Sequence, residues 1–244
     1  MVLYRPDQLV SLRNLRSWAL LAFGAGAVNA GALLACQRFV SHVTGTVTRI
    51  GVDAGQLLAL EYFLILFCFI AGAGAAVLLA RRGEAVHTPR YARPLLLVSA
   101  ILVGVALLGQ AGALGPFGGT VESARDFVFL GVLSFAMGMQ NAAVAVSTAM
   151  AVRTTHMTGP ATDIGIALAL LASGTRAERS EARRSIVLRV TKLFAFISGG
   201  AAMVPLCARF GFAAFVVPAV TCALATMWTY ASAPATAADG VSRA

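Results

Sequence analysis

SHVTGTVTRIG, from Ser41 to Gly51, is met a second time as THMTGPATDIG, from Thr155 to Gly165. His, Thr, Gly, Thr, Ile and Gly recur at one constant offset of 114 residues. Two further blocks repeat in the same order around them. GAVNA (Gly26–Ala30) precedes the first copy as GMQNA (Gly138–Ala142) precedes the second. FIAGAGAAVLLARR (Phe69–Arg82) follows the first as FISGGAAMVPLCAR (Phe196–Arg209) follows the second, with seven of fourteen positions identical. Three collinear matches indicate a duplication.

The repeats are embedded in a very apolar chain. Of 244 residues, 59% are hydrophobic and only 12% charged, with a mean hydropathy of +0.82. Soluble domains carry about 25% charge, and a chain this apolar would expose patches that a soluble monomer does not tolerate. Six apolar segments approach the roughly 20 residues needed to cross a bilayer: Trp18–Cys36, Tyr62–Ala80, Pro94–Leu114, Phe127–Val152, Val190–Ala208 and Phe212–Tyr230. Two more, Thr46–Leu60 and Pro160–Ser173, are too short for a comfortable crossing. The four cysteines, Cys36, Cys68, Cys207 and Cys222, form no CxxC pattern and read as small apolar residues.

Charge chooses among the topologies that these lengths allow. With six spans and a cytoplasmic N-terminus, 15 of the 19 basic residues fall inside, and only Arg38, Arg49, Arg125 and Arg209 fall elsewhere. With eight spans the Arg81–Arg93 cluster would face outward. The net charge of +9 is therefore an orientation signal, and no nucleic-acid partner is expected. Each repeat then makes three crossings, so the second must be inverted relative to the first. The expected fold class is all-α: a polytopic transmembrane helix bundle, six spans as an inverted 3+3 repeat with two short re-entrant or broken half-helices. One transmembrane domain covers 1–244, with repeat 1 at 17–114 and repeat 2 at 127–231. The expected place is the inner (plasma) membrane, with both termini cytoplasmic.

Inverted repeats with discontinuous helices place ligand sites near the midplane in transporters. Gly45 and Gly159 permit the break, Thr44 and Thr158 are placed to cap the helix that follows, and Pro160 suits its first turn. Such N-termini favour an anion or a polar solute. The substrate-binding candidates are accordingly Asn29, His42, Thr44, Gly45, Thr46, Thr48 and Arg49 from repeat 1. Gln140, Asn141, His156, Thr158, Gly159, Thr162 and Asp163 are the candidates from repeat 2. Arg49 and Asp163 occupy aligned positions, and either pair with one another or set charge selectivity. His42 and His156 are suited to proton relay.

Structural readings compete at each of these positions. HxTG can be a capping turn alone; Asn29, Gln140 and Asn141 can join helices; Glu61 can snorkel at a span end. Gly72/Gly74 and Gly199/Gly200 read as close-packing surfaces, and Arg176–Lys192 as a solvated cytoplasmic loop. A small secondary transporter or permease is the leading function. The alternatives are a channel-like pore of the same architecture and a non-transporting regulatory or assembly protein. No HExxH, paired-carboxylate motif or nucleophile elbow is present, so no enzyme activity, catalytic residue, metal ligand or cofactor is assigned. The expected partners are the lipid bilayer and a small polar or anionic solute, with a homo-oligomer left open.

GAVNA followed by SHVTG, then GMQNA followed by RTTHMTGPATDIG, resembles the YoaK-type family of bacterial membrane proteins from about Trp18 to Tyr230. The two TG motifs are the most specific part of that resemblance. The family typically has Asn after the first TG, where this chain has Thr46. The resemblance implies an integral inner-membrane protein of about six helices, and it implies no reaction.

Overall fold

A computed structural model of the chain describes residues 4, 8–81, 91–119 and 124–229. Arg5, Arg82, Arg90 and Arg243, counted among the basic residues of the topology argument, and Tyr230, the end of the last apolar segment, lie outside the described residues. All regular structure among the described residues is helical. In chain order the helices are α1 (Leu12–Cys36), α2 (Val43–Val52), α3 (Leu57–Arg81), α4 (Ala92–Gln110), α5 (Ala124–Ser147), α6 (Thr158–Ser173), α7 (Arg176–Phe210) and α8 (Val216–Thr229). A 3-10 turn, Gly211–Phe215, joins α7 to α8.

Five segments are long and apolar enough to cross a membrane: α1, α3, α4, α5 and the continuous stretch Arg176–Trp228. That fifth stretch covers the last two apolar segments of the sequence reading, with the chain turning between them at Gly211, whose φ of +55° departs from helical geometry. Their outer surfaces are apolar. Leu57, Phe67 and Leu107 stand out from α3 and α4, with Leu57 85% exposed. Large exposed apolar side chains along several helices suit lipid as solvent, and the helices together are those of a membrane protein.

Two segments differ from the sequence reading. Thr46–Leu60 is not one half-helix: α2 stops at Val52, residues 53–56 turn, and Leu57–Leu60 open α3. Arg176–Lys192 is no loop but the first half of α7. Its start is fixed by a capping box in which Thr175 accepts the Glu178 N–H at 3.3 Å and donates its own N–H to Glu178 Oε2 at 2.7 Å. The TRAE sequence carries that signal. At about 1.5 Å per residue α7 extends roughly 52 Å, well beyond a hydrocarbon core of roughly 30 Å.

The helices are clamped in two crossing pairs, α1 with α7 and α3 with α5, both through the sequence Phe-x-x-Gly. A Cβ on Gly26 would collide with the Phe196 carbonyl oxygen, and one on Gly199 with that of Phe23. Likewise a Cβ on Gly72 would strike the Phe135 carbonyl, and one on Gly138 the Phe69 carbonyl. Between helices in lipid there is little hydrophobic drive to associate. Close backbone approach, with Cα–H groups set against carbonyls, supplies the attraction instead. The reading of Gly72 and Gly199 as packing positions therefore holds, whereas Gly74 has open space before it.

Side-chain bonds then align the helix ends. Gln110 Nε2 donates to the Phe210 carbonyl at 2.9 Å, and the Gly118 N–H to that of Ala35 at 2.9 Å. These bonds bring the last turns of α1, α4 and α7 to one end of the bundle. At the other end Arg13 Nε donates to the Trp228 carbonyl at 2.9 Å, joining the start of α1 to the end of α8. Phe129, Phe212 and Phe215 pack edge-to-face where α5 meets the turn before α8.

The four crossing glycines should be far less tolerant than glycines with open space beside them. Gly26→Ala, Gly72→Ala, Gly138→Ala and Gly199→Ala should each destabilise by about 1–3 kcal/mol or more through overpacking. Gly74→Ala and Gly104→Ala should be neutral, or stabilising by up to about 1 kcal/mol through helix propensity. Thermal unfolding in one detergent reads all six, and equal losses at crossing and open positions would refute the clamp.

Candidate functional site

Each short helix begins alongside the preceding long helix, short of that helix's end, because an asparagine holds the intervening coil there. Asn29 lies seven residues, about 10 Å of rise, before the end of α1. Its Oδ1 accepts the N–H groups of Val40 and Ser41 at 3.2 Å each and the Ser41 hydroxyl at 3.1 Å. The chain leaving α1 therefore folds back alongside it before α2 starts. Asn141, six residues before the end of α5, accepts the Thr155 N–H at 3.4 Å in the same way. Gln140 adds a second tie by donating to the Leu21 carbonyl at 3.0 Å and to the Thr154 hydroxyl at 3.1 Å. Asn29 Oδ1, Asn141 Oδ1 and Gln140 Nε2 are thus engaged in joining segments of the fold.

The HxTG motif explains itself locally. A Cβ on Gly45 would lie 2.8 Å from Nδ1 of His42, and one on Gly159 2.9 Å from Nε2 of His156. Glycine is needed because the imidazole three residues earlier lies flat on the helix start. At the second motif His156 Nε2 accepts the Gly159 N–H at 3.1 Å. Desolvation, and then the positive charges of Arg153 and Lys192, lower the pKa of that ring below the usual histidine value. His42 makes no such bond and stands edge-to-face against Phe39 at 5.7 Å.

The threonines do not cap. Thr44 is the second residue of α2 and Thr158 the first of α6, and neither helix has a side-chain cap from them. Thr46, Thr48 and Thr162 bond back to the carbonyls of His42, Thr44 and Thr158 at 3.0–3.2 Å, inside their own helices. The second helix start also has few donors to spare. Gly159 gives its N–H to His156, Pro160 has none, and Ala161 bonds to Met157 at 3.0 Å. Pro160 does sit in the first turn, as expected.

Arg49 and Asp163 do not meet. Arg49 Nε reaches Tyr62 Oη at 3.3 Å and lies 3.7 Å from Asp53, whereas Asp163 Oδ2 binds Arg189 Nε at 2.7 Å. Each aligned residue ties its short helix to the long helix that follows, α2 to α3 and α6 to α7. Tyr62 and Arg189 both stand seven residues before the crossing phenylalanine, Phe69 or Phe196. Tyr62 is bracketed by a second guanidinium, since Arg38 lies 5.6 Å over its ring and binds Glu61 at 2.6 Å. Glu61 is only 3% exposed, so it is a buried ion-pair partner and does not snorkel.

A cavity of about 200 Å³ opens beside the second motif. Arg153, His156, Gly159, Asp163, Arg189 and Lys192 line it, closed by apolar neighbours from the coil after α5 and from α6 and α7. Three sequence candidates thus meet there, His156, Gly159 and Asp163. Thr158 and Thr162 face away as exposed residues, and the lining contains no residue of the first motif. The residues missed from sequence are Arg153, Arg189 and Lys192, which had been assigned to orientation. One signal could have found the last: Lys192 is the only lysine in a chain with 18 arginines.

The two asparagine ties differ in strength in a way that can be measured. Asn29→Ala strips an acceptor from three donors and should cost about 1–3 kcal/mol, while Asn141→Ala loses one longer bond and should cost about 1 kcal/mol or less. Denaturant or thermal unfolding in detergent gives the order. Hydrogen exchange should rise across residues 40–48 in the first variant and 154–160 in the second. A larger loss at Asn141 would contradict this geometry.

No curated protein and no solved structure matches the chain. A family match does exist, to DUF1275, described as "Protein of unknown function", and it spans residues 18–228. Those residues run from the buried Trp18 of α1 to Trp228 near the end of α8 and include both HxTG motifs and every crossing glycine. The chain belongs to the DUF1275 family.

Proposed function

We propose that this protein is a small permease of the inner membrane, carrying a small anionic or polar solute through an inverted 3+3 repeat of six spans, with both termini cytoplasmic. One observation carries the reading: both chain breaks turn back along the helix before them, each held by an asparagine at the matching place, Asn29 and Asn141. Irregular backbone at membrane depth persists only where protein or a watery cavity surrounds it, and in transporters such breaks mark the solute path.

The paired crossings favour the repeat, because the Phe-x-x-Gly contacts of α1 with α7 match those of α3 with α5. The second motif offers the better-formed binding place, with its cavity between His156, Asp163 and the basic residues of α7. The first motif keeps three unbonded helix N–H groups, at Val43, Thr44 and Gly45, among the described residues. Those groups and His42 serve the solute on the opposite side of the crossings. The arginine-rich ends of α3 and α7 face the cytoplasm under the positive-inside rule.

Purified protein in liposomes should show saturable flux of a small anion drawn from chloride, nitrate, formate, acetate, phosphate and sulfate. His42→Ala and His156→Ala should each slow it. Absence of saturable flux across that panel, with both variants indistinguishable from the parent, removes the permease reading. Topology is checked separately in a cysteine-free background. Arg93→Cys and Arg179→Cys should label only from the cytoplasmic side and Arg125→Cys only from the other; labelling of all three from one side overturns the six-span arrangement.

A further inference from the structure

We infer that the cavity beside the second motif is a binding site for a phosphate group, held by Lys192 and Arg153. Lys192 is 3% exposed, yet it has neither a hydrogen bond nor a carboxylate partner among the described residues. Its stem is buried while the ammonium reaches the cavity it lines with no carboxylate in ion-pair range, and a cation so placed favours an anion in that cavity. Arg153, on the coil leading into α6, is likewise without a partner among the described residues.

Charge selects the class of ligand. The lining holds three cations, Arg153, Arg189 and Lys192, against the single carboxylate of Asp163. Asp163 already neutralises Arg189 through their 2.7 Å bond, which also fixes that wall of the cavity. His156 contributes no charge while its Nε2 accepts the Gly159 N–H. Two positive charges therefore remain unanswered, which a carboxylate would half satisfy and a phosphate dianion meets in full. About 200 Å³ admits a phosphate group with a little water and excludes a bulky organic anion from full entry. A compact ammonium set against a neighbouring guanidinium is a suitable pair for phosphate oxygens.

The site deepens the permease reading by naming its anion, but its binding step does not need transport. Full-length protein in detergent is titrated with inorganic phosphate against chloride at constant ionic strength, and its melting temperature and calorimetric heat are followed. The parent should show saturable stabilisation. Lys192→Met, which keeps the apolar stem, should melt higher than the parent without phosphate, because the unpaired charge is gone, and should lose the phosphate response. Arg153→Gln, at an exposed position that does not endanger folding, should bind about tenfold more weakly or worse. Nanodiscs of phosphatidylglycerol and phosphatidylcholine distinguish the source. If anionic lipid suppresses the phosphate response in the parent, the occupant is a lipid headgroup; if both discs allow it equally, it is free phosphate.

No saturable response in detergent or in either disc overturns the site, and so does a response that Lys192→Met and Arg153→Gln leave intact. Binding without flux would leave the site standing and remove the permease. Flux of another anion with no phosphate binding would do the reverse.

Discussion

Backbone N–H and C=O groups cannot be left unpaired in hydrocarbon, and the arrangement of this protein follows from how it meets that constraint where its helices are interrupted. Asn29 and Asn141 are the means. Each sits within a long helix and offers a carbonyl oxygen to the coil that returns beside it, which satisfies the amides of Val40, Ser41 and Thr155. The short helices α2 and α6 start from those anchors and are fastened to α3 and α7 by Arg49–Tyr62 and Asp163–Arg189. Without the asparagines the coils before the HxTG segments would lose the acceptors that hold them against α1 and α5.

The long helices can accommodate such breaks because their own contacts are so close. At each crossing a glycine rests on the carbonyl of a phenylalanine from the partner helix, reciprocally, in both pairs. This contact depends on the absence of a side chain, so it specifies where along each helix the crossing falls. The asparagines lie three residues, about 4.5 Å of rise, beyond the crossing glycines Gly26 and Gly138, so each chain break is set at the same distance from its own crossing. The functional features thus inherit their position from a packing motif.

Much of this was legible in the residues. The apolar blocks, the two copies of HxTG and their asparagine-bearing partners mark helices, breaks and an internal match without any coordinates. The capping box at Thr175 and Glu178 was legible too, and it would have turned the supposed loop Arg176–Lys192 into the start of α7. Other readings failed for physical reasons. Thr44 and Thr158 have the right chemistry for caps, but His156 takes that place at the second motif because glycine lets its ring lie against the helix start. Arg49 and Asp163 align in the sequence and invite pairing, yet each finds a nearer partner within its own copy. Glu61 looked like a span-end residue until Arg38 was found beside it.

By itself the sequence determined the class, the approximate spans and the residues that recur, because composition and period act locally along a chain. Only the tertiary structure decided which of those residues share a space. Lys192 is the clearest case. In sequence it is one more basic residue beside a membrane span, indistinguishable in role from its arginine neighbours. Packing α6 against α7 removes it from water and sets it in a cavity opposite Arg153. Burial is a property of neighbours distant in the chain, so no local pattern could assign it, and burial is what turns an orientation charge into a candidate ligand.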